Sequence, residues 1–116
     1  MMSFADRLST AIQQKKSPVL MGLDPRADMI PDDCFIDGKN SPEAIAEGFY
    51  QFGSRLMVAL KDHVAAVKPQ IAFYEALGIP GLQAYIRLLQ KAKELDLLTI
   101  ADIKRGDIGS TSEAYA

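Results

Sequence analysis

Two carboxylates and a lysine stand at the spacing Asp-x-Lys-x-x-Asp within TIADIKRGDIG, the segment from Thr99 to Gly109; they are Asp102, Lys104 and Asp107. If the chain stays extended as far as Lys104, the two-residue period of a strand projects the Asp102 carboxylate and the Lys104 ammonium into the same space and turns Ile103 away. Asp107 follows Gly106, where the chain can turn, so it is free to point elsewhere or toward another chain. A lysine held between two carboxylates keeps its charge and gains proton affinity. Such an array can manage negative charge and deliver a proton, which suits acid–base or electrostatic catalysis on an anionic substrate. Taken singly, each charge reads first as a solvated position at a strand end; only the joint arrangement points to chemistry.

The elements that must position this array are legible as a repeating order. Three apolar runs without polar alternation, Pro18 to Leu23, Val64 to Val67 and Leu97 to Ala101, read as strands of a parallel sheet buried on both faces. Each finishes on ionisable residues: Asp24 after the first, Lys68 after the second, Asp102 and Lys104 after the third. Helices intervene. Ser3 with Asp6 three residues later predicts a capped helix from Phe4 to about Gln14. Ser41-Pro42-Glu43 opens another, with Ser41 as cap, Pro42 at the first helical position and Ile45, Phe49, Phe52, Leu56 and Leu60 as its apolar stripe. A further helix is expected from about Leu82 to Leu95, with Leu82, Tyr85, Leu89 and Ala92 on one face, and Ser110 with Glu113 marks the start of one more. Residues 24–40, rich in Pro, Asp and Gly, read as irregular loop. A helix followed by strand–helix three times is a parallel α/β architecture, whose sites form at the carboxyl ends of the strands.

Composition narrows the function classes. The chain has 116 residues, 48% of them hydrophobic, with 13 cations scattered among 15 acids and a net charge of −2, so it lacks the basic stripe that a nucleic-acid partner requires. Cys34 is the single cysteine, which excludes an internal disulfide and argues against a structural zinc; a reducing cytoplasm fits. The N-terminal stretch carries Asp6 and Arg7 early and has no long apolar core, so neither a signal peptide nor a membrane span is expected. His63 precedes the second strand, at the end away from the charge cluster, and reads as a surface turn residue. Cys34 has no histidine in strand register and does not read as a nucleophile. Phe73 and Tyr74 are expected to pack the rim of the fold.

Three stretches, MGLDPR (21–26), VKPQIAFYE (67–75) and IADIKRGDIGSTSEAYA (100–116), closely resemble the orotidine 5′-phosphate decarboxylase family in its longer bacterial branch. The resemblance implies a (β/α)8 TIM barrel, usually a homodimer, that converts orotidine 5′-monophosphate to UMP and CO2 in de novo pyrimidine biosynthesis without metal or cofactor. Carried over by position, it implies that Lys104 stabilises the developing carbanion at C6 and protonates it, while Asp102 sits beside the substrate carboxylate. Lys68 would link the aspartates and reach the ribose, and Asp24 would hold a ribose hydroxyl. Asp107, Ile108 and Thr111 match positions that cross the dimer interface into the partner's site, completing an alternating Lys-Asp-Lys-Asp network.

A barrel of this kind needs roughly 250 residues, so this chain is expected to supply about the first three to four βα units, residues 1–116 being the N-terminal part of one barrel domain. The phosphate-gripping arginine and the residues that read the pyrimidine are expected further along. Related barrel enzymes, Mg²⁺-dependent sugar-phosphate decarboxylases and hexulose-phosphate synthases, share Asp-x-Lys-x-x-Asp but resemble each other in an acidic residue at the end of the second strand; Lys68 stands there in this chain and disfavours a metal. A non-catalytic dimerising fragment is the alternative from another class.

Overall fold

A computed structural model describes residues 3–16 and 18–100. Its elements run α1 (Phe4–Lys15), β1 (Leu20–Leu23), α2 (Pro42–Leu60), β2 (Ala66–Pro69), α3 (Ile71–Glu75), α4 (Ile79–Glu94) and β3 (Leu98–Thr99), with two short 3-10 turns, Ala27–Met29 and Asp32–Cys34, inside the first long loop. The strands form one parallel sheet in the order β1-β2-β3. Parallel neighbours need a crossover, and α2 and then α3 with α4 supply the two that join them.

The helix starts follow the capping chemistry. Ser3 Oγ accepts the Asp6 N–H at 3.1 Å and Ser41 Oγ accepts that of Ala44 at 3.1 Å, each occupying a donor that the first helical turn leaves without an intrahelical partner. Lys16, left-handed at φ 53°, ends α1 and returns its N–H to the Ile12 carbonyl. The helix α4 begins at Ile79 rather than near Leu82, because Gly78 adopts φ 74° as its cap and Pro80 fits the first turn. Strand β1 is shorter than the apolar run, which starts with an exposed Pro18. The five-residue α3 was not expected from the sequence.

Burial alternates along β1: Met21 and Leu23 are buried while Leu20 and Gly22 are exposed. The buried side joins α2 and α4 in one core that holds Leu23, Met57, Val67, Tyr74 and Leu88, each no more than 2% exposed. Alpha-helices α2 and α4 approach closely at Gly53, where a Cβ would come within 2.7 Å of Leu88 Cδ2 and 3.5 Å of Leu23 Cδ1. That closeness turns the buried stripes toward small residues. In α2 the buried positions are Ala44, Ala46, Gly48, Phe49, Gly53 and Met57, with Ile45, Phe52, Leu56 and Leu60 only partly covered. In α4 they are Gly81, Ala84, Tyr85, Leu88 and Ala92, and Leu82 lies outside them at 36% exposure.

Candidate active site

The site is built from the second strand outward. Lys68 is the third residue of β2, not the residue after it, and pairs in register with Gly22 of β1. Its neighbours Val67 and Pro69 are buried in the helix-facing core, so alternation sends Lys68 to the opposite, open side of the sheet, where it is exposed. Gly22 leaves room beside it: a Cβ there would meet nothing within 4 Å. Asp24 follows β1 directly and is also exposed. Continuing the β1–β2 register by one residue from Leu23 and Pro69 sets Asp24 beside Gln70, and the ladder persists that far, since the Gln70 N–H donates to the Leu23 carbonyl at 3.0 Å.

Gln70 carries a signal that sequence reasoning missed. It is the buried polar residue of the described core, at 6% exposure, and its Oε1 accepts the Ala72 N–H at 3.4 Å, capping α3. A polar residue two places after Lys68, hence on the same strand face, was the available clue.

On the third strand, the Ile100 N–H donates to the Val67 carbonyl at 2.8 Å, which carries the β2–β3 pairing one residue past Thr99. Asp102, Lys104, Asp107, Ile108 and Thr111 lie outside the described residues. Of the expected site residues, the structure therefore describes Asp24 and Lys68 and puts both at the carboxyl ends of neighbouring strands.

Tyr74 departs from its expected place at the rim. It is fully buried, with its ring edge-on to Phe49 (centroids 6.0 Å apart) and to Tyr85 (5.4 Å), and its hydroxyl has no hydrogen-bond partner among the described residues. Burial, with the charge of Asp24 and then Tyr85 adding to it, pushes its phenol well above the ordinary tyrosine range. Phe73 is half-buried, with the Arg26 guanidinium 5.9 Å from its ring centroid, so it does tie α3 to the loop after β1.

The remaining candidates stand away from this face. His63 is exposed in the turn before β2, as expected. Cys34 is a buried free thiol whose Sγ accepts from Arg55 Nη1 at 3.5 Å. A cavity of about 270 Å³ lined by Phe4, Arg7, Leu89, Lys93 and Leu98 opens at the other end of the sheet, near the start of β3. Among the described residues no group of three or more His, Cys, Asp and Glu is gathered that could hold a metal, and no helix is long and apolar enough to cross a membrane.

Comparison with known proteins converges on one family. A family model described as orotidine 5′-phosphate decarboxylase / HUMPS matches residues 19–116. The orotidine 5′-phosphate decarboxylase of Clostridium novyi is 40% identical over 116 residues, covering 100% of this chain and 39% of that protein. That of Roseiflexus castenholzii is 43% identical over 115 residues, with coverages of 99% and 39%. Among solved structures, one from Streptomyces avermitilis assigned as an orotidine 5′-phosphate decarboxylase superposes with a TM-score of 0.72 at 33% identity, covering 99% of this chain and 38% of that one. UMP synthase of Leishmania donovani gives 0.66 at 28% identity, with coverages of 100% and 22%. The chain thus spans about two fifths of the length of the curated relatives it matches. Its parallel strands and alternating helices are part of a (β/α)8 barrel. On the family match across residues 19–116, the chain belongs to the orotidine 5′-phosphate decarboxylase / HUMPS family.

Proposed function

We propose that residues 1–116 are the N-terminal part of a single barrel domain whose whole protein decarboxylates orotidine 5′-monophosphate to UMP and CO2, as a cytoplasmic homodimer without metal or cofactor. The observation that carries this reading is the open sheet face on which Lys68 stands opposite Gly22, next to Asp24, at the carboxyl ends of two parallel strands. Barrels of this class build their sites there. The reading takes the third strand to stay extended as far as Lys104, which would turn Asp102 and Lys104 toward the face that Lys68 occupies. In this reading the Lys104 ammonium offsets the charge growing at C6 as CO2 leaves and then gives that carbon its proton. Asp102 lies by the departing carboxylate, and the preorganised array favours the transition state over the bound substrate. Lys68 bridges Asp102 and the partner's Asp107 and reaches the ribose with Asp24, while Ile108 and Thr111 cross the dimer interface.

The experiment is an assay of full-length protein for loss of the orotate chromophore of orotidine 5′-monophosphate in the presence of EDTA. Undiminished turnover is the expected result. Activity that disappears on chelation and returns with Mg²⁺ would instead favour the sugar-phosphate branch that the family name also includes, although Lys68 occupies the place where a dication would need a carboxylate.

A further inference from the structure

Three large apolar side chains stand exposed along α4: Ile79 (71%), Leu82 (36%) and Ile86 (53%). Their spacing puts them in one stripe on the helix, and Leu89 continues it. Leu89 lines a cavity together with Leu98 and Thr99 of β3, so the stripe runs down the flank of α4 that borders β3. The other flank is taken. Arg87, next to Ile86 in the chain, turns to α2, where it meets Glu47 at 2.6 Å and stacks on Tyr50. The stripe therefore lies on the side where β3 is the outermost strand of the described sheet.

Connection rules name its occupant. Right-handed crossovers place successive helices on one face of a parallel sheet, and α2 and α4 already share the face that covers Leu23 and Val67. The helix that follows β3 comes next on that face, on the β3 side of α4, and runs in the same direction as α4. Ser110 with Glu113 carries the sequence signal for its start. The segment before it, residues 101–109, holds Asp102, Lys104 and Asp107 and is tied at its beginning, where the Ile100 N–H donates to the Val67 carbonyl at 2.8 Å. We propose that Ile79, Leu82 and Ile86 seat the helix opening at Ser110 and so tie the other end of that segment, which makes them positioning residues for Lys104 and Asp107; this rests on the decarboxylase reading. They hold the charged segment in place and do not touch the nucleotide.

The test uses full-length protein. Leu82→Cys is combined in turn with Glu113→Cys, Ala114→Cys, Tyr115→Cys and Ala116→Cys, which sample one full turn of a helix, and each pair is oxidised. A disulfide within one subunit is expected in at least one pair; disulfides only between subunits, or none at all, overturn the seat. Ile86→Ser is expected to lower Tm by roughly 5 °C and kcat about tenfold while Kd for UMP stays within about threefold, and Ile86→Leu is expected to restore kcat. An Ile86→Ser protein with wild-type kcat overturns the positioning role whatever its Tm, and one that sediments as a monomer while wild type is a dimer assigns the stripe to a second copy instead. Wild-type protein that forms no UMP overturns the decarboxylase reading and leaves the cross-links to decide the seat.

Discussion

Lys68 and Gly22 are register partners across β2 and β1, so the lysine has a hydrogen where a cross-strand neighbour would otherwise carry a side chain. The two are complementary: one supplies a long cation, the other the space in which it can bend. Lys68→Ala is expected to change stability by no more than about 0.5 kcal/mol, as for an exposed residue, and to lower turnover by more than 10²-fold. Gly22→Ala is expected to leave both the melting temperature and kcat/KM close to wild type, since a Cβ there meets nothing within 4 Å and alanine in a strand is no worse than glycine. Kinetics and melts of the two full-length variants check both; a Gly22→Ala enzyme with kcat/KM lowered about tenfold or more would show that the lysine bends into that space.

In the role proposed for Lys104, its removal takes away charge stabilisation and the proton donor together. Turnover of Lys104→Ala is expected to fall by far more than the 10²–10⁴-fold typical of a lost general acid, with much weaker effect on binding of a product analogue. A folded variant that keeps a tenth or more of wild-type kcat defeats the role. Mixing Lys104→Ala with Asp107→Ala subunits is expected to restore about a quarter of the wild-type sites if Asp107 serves the partner's lysine, because each mixed two-fold dimer then contains one intact site. No recovery after subunit exchange would place Asp107 in its own subunit's site or outside both.

The pH dependence of stability has a local contribution from α2 and α4. Burial works to raise the Glu47 pKa, but hydrogen bonds from Arg87 and Gln51 and the Arg87 charge outweigh it, so the folded-state value lies below the ordinary 4.5. A depressed carboxylate pKa contributes stability above its unfolded value and loses it as pH falls through the folded one. Arg87 is 46% exposed at its side chain, which limits the contribution to about 1 kcal/mol or less. Arg87→Ala should therefore melt lower than wild type at pH 7 and converge with it below about pH 4. Denaturant titrations at the two pH values decide this, and a constant difference would assign the effect to Arg87 stacking on Tyr50, whose centroid is 3.8 Å away.

What the sequence made legible was whatever local chemistry specifies. Ser3 and Ser41 announce their helices because a side-chain oxygen must meet an orphan N–H, and the apolar runs announce parallel strands because both faces are covered. The stripes were read toward large residues, whereas α2 and α4 meet through Gly53, Ala84 and other small ones; close approach is a property of the pair and is invisible in either helix alone. Tyr74 was read as rim because nothing near it in the chain says that Phe49 and Tyr85 enclose it. Likewise α3 is five residues long, too short to show a period. Asp24 and Lys68 were legible as strand-end charges, but Gln70 was not, since its burial and its cap on α3 come from the way α3 folds back over the strand end.

The position of β1 at the end of the strand order has a consequence for how such a protein is made. In a closed barrel the first strand is sealed only by the last, so its outer edge waits for the remainder of the chain to leave the ribosome. Through that interval Leu20, 45% exposed here, lies on the edge of β1 that faces no other strand among the described residues and that another chain can extend. Closure is also the contact of greatest sequence separation, and such contacts form late. Slow translation or truncation late in the reading frame should thus show itself as aggregation seeded from the N-terminal strand, with the chemistry of the site playing no part in the failure.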